Sequence, residues 1–213
     1  MVMAMSYMTM AQDKYPKDYF RSPLNMEILL SGTFGEIRPN HYHSGADIRV
    51  GGKIGAPVYA TADGYVSRIS ISPWGGGKVL YIDHDNGFRT VYMHLNDFVG
   101  EIGTCVRNYQ YKHECYSFTA YFPKDSIKVR KGQVVAHAGN TGSSGGPHLH
   151  YEVRYAKNDQ TINPFYLGLP YTDNVKPIIR GIKVYPESGK GINVGHDTVR
   201  MKGRFYTGIY ATD

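Results

Sequence analysis

The chain has 213 residues, which is enough for one all-β domain with a hydrophobic core, or for one domain and part of another. Hydrophobic residues make up 41% and charged residues 20%, and the 25 glycines, 11 prolines and 19 tyrosines favour strands joined by many turns over helices. The net charge of +6 comes from scattered lysines and arginines, without a basic helix or an aromatic RNA-binding motif, which argues against a nucleic-acid partner.

The N-terminal stretch MVMAMSYMTMAQ is apolar and rich in methionine. It lacks a basic n-region and is too short for a complete hydrophobic region, so we interpret residues 1–26 as the remnant of a secretory signal followed by a lead-in. A cytosolic terminus is the alternative. No other apolar run approaches the roughly 18 residues that a membrane-spanning helix needs. The sequence therefore predicts a secreted or periplasmic protein of the cell envelope, with no membrane span.

Short β-rich runs alternate with turn clusters from residue 27 to residue 168. The turn signals ADG (62–64) and DNG (85–87) are typical of hairpins, because Asp, Asn and Gly tolerate the left-handed backbone conformation. Residues 100–130 interrupt this alternation of strands and turns. Their sequence predicts either a short helix and a strand or a flap over whatever the core binds. Residues 169–213 read as a linker and the start of a possible second β domain.

Cys105 and Cys115 are the two cysteines of the chain. Their spacing is far from the CxxC pattern, which argues against a thiolate metal site. A disulfide between them would require an oxidising compartment, and the sequence leaves their pairing open.

Two histidines, His148 and His150, follow the glycine-rich run GNTGSSGGP. In a strand, residues two apart point to the same face, so both imidazoles would project together. A hundred residues earlier, His43 and Asp47 form an HxxxD motif with Gly45 between them, which favours a loop leading into a strand. Zinc accepts imidazole and carboxylate ligands, and catalytic sites use three protein ligands with one position left for water. The two motifs predict a catalytic metal site made by His43, Asp47 and either His148 or His150.

The remaining histidine of the pair would lie beside the metal, where an imidazole can move protons or stabilise a developing oxyanion. His94, at the end of the strand-like run VYMHL, is a second candidate for this chemistry. A metal ion lowers the pKa of its bound water, and a nearby imidazole can accept the released proton. Two such imidazoles can replace the glutamate base of HExxH enzymes, a motif that this sequence lacks.

The motifs HSGAD, VYMHL and GNTGSSGGPHLHYEVR occur in the order found in the lysostaphin-like (LytM-like) zinc metallopeptidases, and the sequence resembles that family. The runs GAPVYATADGYVSRI and VRKGQVVAHAGNTG also match the sequences of this family, in the same order. The resemblance covers about residues 27–168. It implies an all-β fold in which antiparallel sheets form an open barrel or sandwich-like core with a groove, here with a short helical insertion.

Carried over position by position, the resemblance implies that His43, Asp47 and His150 bind one zinc ion and that His94 and His148 form the catalytic pair. It implies a substrate as well, since members of the family hydrolyse peptide bonds of bacterial peptidoglycan, in glycine-rich bridges or in stem-peptide cross-links. The alternative is a non-catalytic wall-binding or amidase-activating module on the same fold. Such modules characteristically lose metal ligands, whereas all five positions are present here.

The small residues before the HxH motif predict a groove wall that lets an extended peptide approach closely. Ser143 and Ser144 lack the nucleophile elbow of serine hydrolases, so we interpret them, with Gly145, as substrate-binding residues. His41 lies on the same predicted face as His43, and is a candidate substitute ligand, a partner of a ligand, a substrate contact or a plain surface residue. Glu152 continues the face of His148 and His150, where it either orients a ligand or is an ordinary strand residue.

Overall fold

The computed structural model describes residues 15–171, 176–195, 200 and 202–212. Contacts along the chain divide it into one unit of residues 1–171 and another of residues 172–213, which are described separately below. Most of the predicted signal remnant, residues 1–14, lies outside the described residues. In the described ranges, no helix has the length and apolar character needed to cross a membrane.

The first unit is built from antiparallel strands, which confirms the predicted all-β class. Its larger sheet has the strand order β1-β2-β11-β6-β5-β4-β8, with β12 paired to β11 and β9 paired to β4, and a smaller sheet has the order β3-β10-β7. The strands are β1 (Leu30–Gly32), β2 (Ala46–Arg49), β3 (Pro57–Tyr59), β4 (Gly64–Ile71), β5 (Lys78–Asp83), β6 (Phe88–Met93), β7 (Leu95–Phe98), β8 (Phe118–Tyr121), β9 (Lys128–Val129), β10 (Val134–Ala138), β11 (His148–Tyr155) and β12 (Thr161–Ile162).

Strand β11 shows how the sequence separates the core from the site. Its alternate residues Leu149, Tyr151 and Val153 are almost completely buried and belong to the main hydrophobic cluster. That cluster also contains residues of the smaller sheet, such as Ala136, so the two sheets share one core. Because side chains alternate along a strand, the residues between them, from His148 onward, point to the opposite face, which carries the polar groups.

The segment of residues 100–130 forms a helix and the strands β8 and β9, which is close to the first of the two predicted alternatives, a short helix and a strand. Helix α1 (Gly100–His113) buries Ile102 and Val106 in the main core. Strand β8 follows it and pairs with β4, at the edge of the larger sheet opposite to β1. Three strands separate β8 from β11, so the insertion extends the sheet away from the polar face of β11. Cys105 and Cys115 are both free thiols.

The described part of the lead-in, residues 15–26, packs on this first unit. Phe20 and Leu24 are buried in the main core, and the backbone N–H of Arg21 donates a hydrogen bond to the carbonyl of Thr61. The lead-in is thus part of the folded unit from at least Phe20 onward.

The second unit is a three-stranded antiparallel sheet in the order β14-β13-β15. Its strands are β13 (Ile178–Pro186), β14 (Ile192–Val194) and β15 (Phe205–Thr212). Val184 is buried, whereas large apolar side chains such as Ile179, Ile209 and Tyr210 are more than half exposed.

Candidate metal centre and groove

The pairing of β2, β11 and β6 brings the three sequence motifs together. His150 lies opposite Asp47 on one side of β11 and opposite Met93 on the other. His94 follows Met93 at the end of β6, and His43 precedes β2 in the loop that leads into it. Directly opposite residues in antiparallel strands share a face, so the register places Asp47 and His150 on one surface, and His43 and His94 lie in the segments that adjoin these strands.

Three donor atoms converge at this surface. Nε2 of His43 lies 3.1 Å from Oδ1 of Asp47 and 3.0 Å from Nδ1 of His150, and that Nδ1 lies 2.8 Å from Oδ1 of Asp47. In a tetrahedral zinc site with bonds of about 2.0–2.1 Å, neighbouring ligand atoms are about 3.3 Å apart. Within the described part of the chain, these residues form the one cluster of three or more His, Cys, Asp or Glu side chains placed to hold a metal ion.

The other ring nitrogen of each ligand histidine is engaged by a protein acceptor. Nδ1 of His43 donates to the carbonyl of Thr33 at 2.7 Å, and Nε2 of His150 donates to Oε1 of Glu152 at 2.9 Å. These partners occupy one nitrogen of each ring, so the nitrogens that remain to bind a metal ion are Nε2 of His43 and Nδ1 of His150, the atoms that face Asp47. The donor set therefore fits a zinc ion.

Arg38 positions the carboxylate of Asp47, and sequence reasoning missed it. Its Nη2 donates to Oδ2 of Asp47 at 2.9 Å, which leaves Oδ1 to face the histidines. The signal in the sequence is the turn-forming pair Pro39-Asn40, since the chain folds back there so that the N–H of Arg38 bonds to the carbonyl of His41. This turn places Arg38 beside the loop that carries His43, within reach of Asp47.

Gly45 allows the ligand loop to lie against β11. A Cβ atom at this position would clash with the carbonyl oxygen of Tyr151 and lie 3.0 Å from Nε2 of His150. The glycine inside HSGAD is thus required by the close approach of two backbone segments. This close approach lies between the loop that carries His43 and the strand that carries His150.

His94 and His148 lie side by side next to the ligand set, with ring centroids 4.7 Å apart. Nδ1 of His94 donates to the carbonyl of Thr141 at 2.8 Å, and Nδ1 of His148 donates to the carbonyl of Gly146 at 2.9 Å. Among the described residues, Nε2 of His94 has no hydrogen-bond partner. Nε2 of His148 is 3.4 Å from Oδ1 of Asp47, close to the point where the ligand atoms meet.

The backbone of His94 is held in an unusual conformation. Its φ angle is 59°, in the left-handed region that residues other than glycine rarely adopt. The N–H of His94 donates to the carbonyl of Gly76 at 2.8 Å, and its ring is bonded to Thr141. These contacts hold the ring beside His148. The strand-like run VYMHL by itself predicts a regular strand conformation at His94.

The charges in the ligand set stabilise one another. Burial alone would raise the pKa of Asp47, but hydrogen bonds from His148 and His150 lower it well below its usual range. Burial would lower the pKa of His150, but its hydrogen bonds to Asp47 and Glu152 raise it to about 9. The pKa of Glu152 falls to about 2, because hydrogen bonds from His150 and Arg154 outweigh burial. Binding of a divalent cation at neutral pH would therefore displace a proton from His150.

The two histidines of the neighbouring pair have different basicities. Burial lowers the pKa of His94 to about 4. Burial acts in the same direction on His148, but hydrogen bonds to Asp47 and to the carbonyl of Gly146 raise its pKa above the ordinary value.

An open groove of about 510 Å³ contains the ligand set, the histidine pair and all four residues predicted to bind substrate, His41, Ser143, Ser144 and Gly145. His41 is exposed, and its Nδ1 lies 2.5 Å from Oδ1 of Asn40. No residue of the insertion 100–130 lines this groove.

The two serines also have structural contacts that the sequence did not reveal. Oγ of Ser143 accepts a hydrogen bond from the N–H of Gly75 at 3.0 Å, and the N–H of Ser143 donates to the carbonyl of Gly75 at 2.8 Å. Ser143 thereby joins two loops of the groove wall. Oγ of Ser144 donates to the carbonyl of Gly146 and lies 3.2 Å from Nδ1 of His148.

Glu152, on the same strand as His150, orients its imidazole ring through a hydrogen bond. It is completely buried, accepts a hydrogen bond from Ser44 and is bonded by Nε of Arg154 at 2.5 Å. We expect the substitution Glu152→Gln, which removes the charge and keeps the shape, to weaken zinc binding by about 10- to 100-fold. A competition titration with a chromogenic chelator measures this change. The exposed Glu101 on α1 offers a matched control, Glu101→Gln, and equal zinc affinity in the two variants would contradict the role of Glu152.

Comparisons with known proteins agree with this geometry. The sequence profile of peptidase family M23 matches residues 41–111 and 107–164. An uncharacterized metalloprotease of Haemophilus influenzae is 32% identical over 167 residues, which cover 74% of this chain and 29% of that protein. The peptidoglycan DD-endopeptidase ShyB of Vibrio cholerae is 34% identical over 111 residues, which cover 52% of this chain and 20% of that protein. The chain thus matches less than a third of the length of these two relatives.

A solved structure of similar fold is a zinc-containing peptidase from Vibrio cholerae. It aligns with a TM-score of 0.52 and 27% sequence identity, over 72% of this chain and 41% of that one. The matched family region contains the HxxxD motif, the mid-domain histidine and the HxH motif, all of which converge in the groove. These matches confirm the resemblance to lysostaphin-like peptidases, and the chain belongs to peptidase family M23.

Proposed function

We propose that the chain is a zinc-dependent endopeptidase that hydrolyses peptide cross-links of bacterial peptidoglycan. The observation that carries the proposal is the convergence of His43, Asp47 and His150 beside the pair His94 and His148 in an open groove. The family match supports a peptidase, and the relative named as a peptidoglycan DD-endopeptidase supports the substrate class.

His43, Asp47 and His150 would hold the zinc ion through the three atoms described above, one ion per chain. Bound there, zinc would supply a Lewis acid for the scissile carbonyl and a water molecule of lowered pKa. The protein contributes the orientation of the ligands, through Thr33 and Glu152, and their burial to less than a tenth exposed.

His94 and His148 would carry the proton transfers of hydrolysis at their Nε2 atoms. One imidazole can accept a proton from the attacking water, and the pair can donate hydrogen bonds to the negative oxygen that develops on the carbonyl. The carbonyls of Thr141 and Gly146 accept hydrogen bonds from Nδ1 of the two rings, which leaves Nε2 of each ring on the side where proton transfer would take place. His41, Ser143, Ser144 and Gly145 would line the path of the peptide.

A peptidoglycan substrate implies a secreted or periplasmic location, in agreement with the interpretation of residues 1–26. The second candidate function is a non-catalytic module that binds the wall or activates an amidase. The complete ligand set and the neighbouring histidine pair favour the enzyme over this alternative.

The test is digestion of isolated peptidoglycan, followed by mass spectrometry of the soluble products. We expect new peptide ends within cross-links, and loss of these products after chelation of the metal. Absence of new peptide ends, together with stimulation of a partner amidase, would favour the non-catalytic module instead.

A further inference from the structure

Arg49 lies on the same face of β2 as the metal ligand Asp47. The two residues are two apart in a strand, and the register with β11 places Arg49 directly opposite His148, just as Asp47 is opposite His150. Since alternate residues of a strand share a face, the guanidinium is on the side of the sheet that carries the catalytic groups. Arg49 therefore lies next to Asp47 on the face of the sheet that carries the candidate functional side chains.

A second cavity, of about 720 Å³, extends the groove on this side. It shares four lining residues with the metal-centre groove, namely Arg38, Asp47, Gly145 and His148. Its own walls include the charged residues Arg49 and Glu27 and the apolar side chains of Met26, Leu29 and Pro147. Met26 and Leu29 are about half exposed, so apolar surface is available to a ligand beside the charged group.

The guanidinium of Arg49 has N–H donors that are not used within the described part of the protein. Its Nε donates to the carbonyl of Leu30 at 3.0 Å, which fixes the direction of the side chain. Neither Nη atom has a hydrogen-bond or ion-pair partner among the residues that the structure describes. Arg38, in contrast, is paired with Asp47 and Glu36. Arg49 is therefore the arginine of this cavity that can receive an anion.

We propose that Arg49 binds a free carboxylate of the substrate peptide and so selects stem-peptide cross-links over glycine-rich bridges. This inference rests on the proposed peptidase function. Stem peptides carry free carboxylates next to the amide bonds of the cross-link, whereas a glycine bridge is uncharged along its length. A planar guanidinium with two free Nη atoms suits a carboxylate, which it can bind in a bidentate manner.

The test compares three soluble peptides as substrates: a cross-linked stem-peptide dimer, the same dimer with its free carboxylates amidated, and a pentaglycine-bridged peptide. For the wild type we expect kcat/KM to be about 10- to 100-fold higher for the dimer with free carboxylates than for its amidated form. In the Arg49→Gln variant this ratio should fall to near one, and Arg49→Lys should restore part of it. Arg107→Gln, on the exposed side of α1, is the matched control and should keep the wild-type ratio.

An unchanged ratio in Arg49→Gln, or a wild type that prefers the amidated or pentaglycine peptide, would overturn the inference and leave the peptidase function intact. A wild type that cleaves none of the three peptides would contradict the proposed function itself, and the inference with it.

Discussion

Replacement of His150 by alanine is expected to abolish zinc binding and peptide hydrolysis together. The change removes Nδ1, one of three donor atoms that lie within 3.1 Å of one another. The loss of zinc affinity should exceed the roughly 10- to 100-fold that removal of a ligand's partner costs. Metal content per chain after dialysis, measured by plasma mass spectrometry, checks this expectation.

The His150→Ala variant also leaves Glu152 buried without its histidine partner, which should lower the free energy of unfolding by about 1–3 kcal/mol. Circular dichroism at the assay temperature shows whether the variant remains folded. His113→Ala, at the exposed end of α1, removes an imidazole without touching the groove and should keep its zinc. A folded His150→Ala protein that binds zinc like the wild type would refute this ligand assignment.

Replacement of His148 by alanine is expected to abolish hydrolysis while zinc binding is retained. His148 lies beside the three candidate ligands, with Nδ1 bonded to the carbonyl of Gly146 and Nε2 at 3.4 Å from Oδ1 of Asp47. General acid–base catalysis by a positioned side chain typically contributes about 10²- to 10⁴-fold, so we expect kcat to fall within that range. The measurement is the rate of peptide release by a variant whose zinc content has been matched to that of the wild type.

His94→Ala is the matched comparison, because His94 is the other member of the pair and makes the equivalent hydrogen bond to the carbonyl of Thr141. Both variants should keep zinc and lose most activity. A His148→Ala protein that loses zinc while His150→Ala retains it would reverse the assignment of the two residues.

The sequence predicts the site better than it predicts the contacts that support it. Spacing indicates that His148 and His150 share a face, but leaves open which of them is the ligand; the family resemblance makes the choice. In the structure the register places His150 opposite Asp47, with its Nε2 bonded to Glu152 and its Nδ1 at 2.8 Å from Oδ1 of Asp47. Register between strands a hundred residues apart is a tertiary property that local pattern does not encode.

The supporting contacts depend on packing between segments that are distant in sequence. The bond from Arg38 to Asp47 and the linkage of Ser143 to Gly75 arise where separate loops meet, so single-sequence patterns carry little information about them. The segment 100–130 could be read as a helix and strand or as a flap. Burial of Ile102 and pairing of β8 with β4 decide for the first, and both depend on the rest of the fold.

The most direct test of the zinc peptidase is a titration of the metal-free protein with zinc, in which peptide release is followed at each step. We predict that activity rises in proportion to added zinc and stops rising at one ion per chain. Full activity in the metal-free protein, or a fully loaded protein that releases no peptide, would contradict a metal centre formed by His43, Asp47 and His150 that acts with His94 and His148.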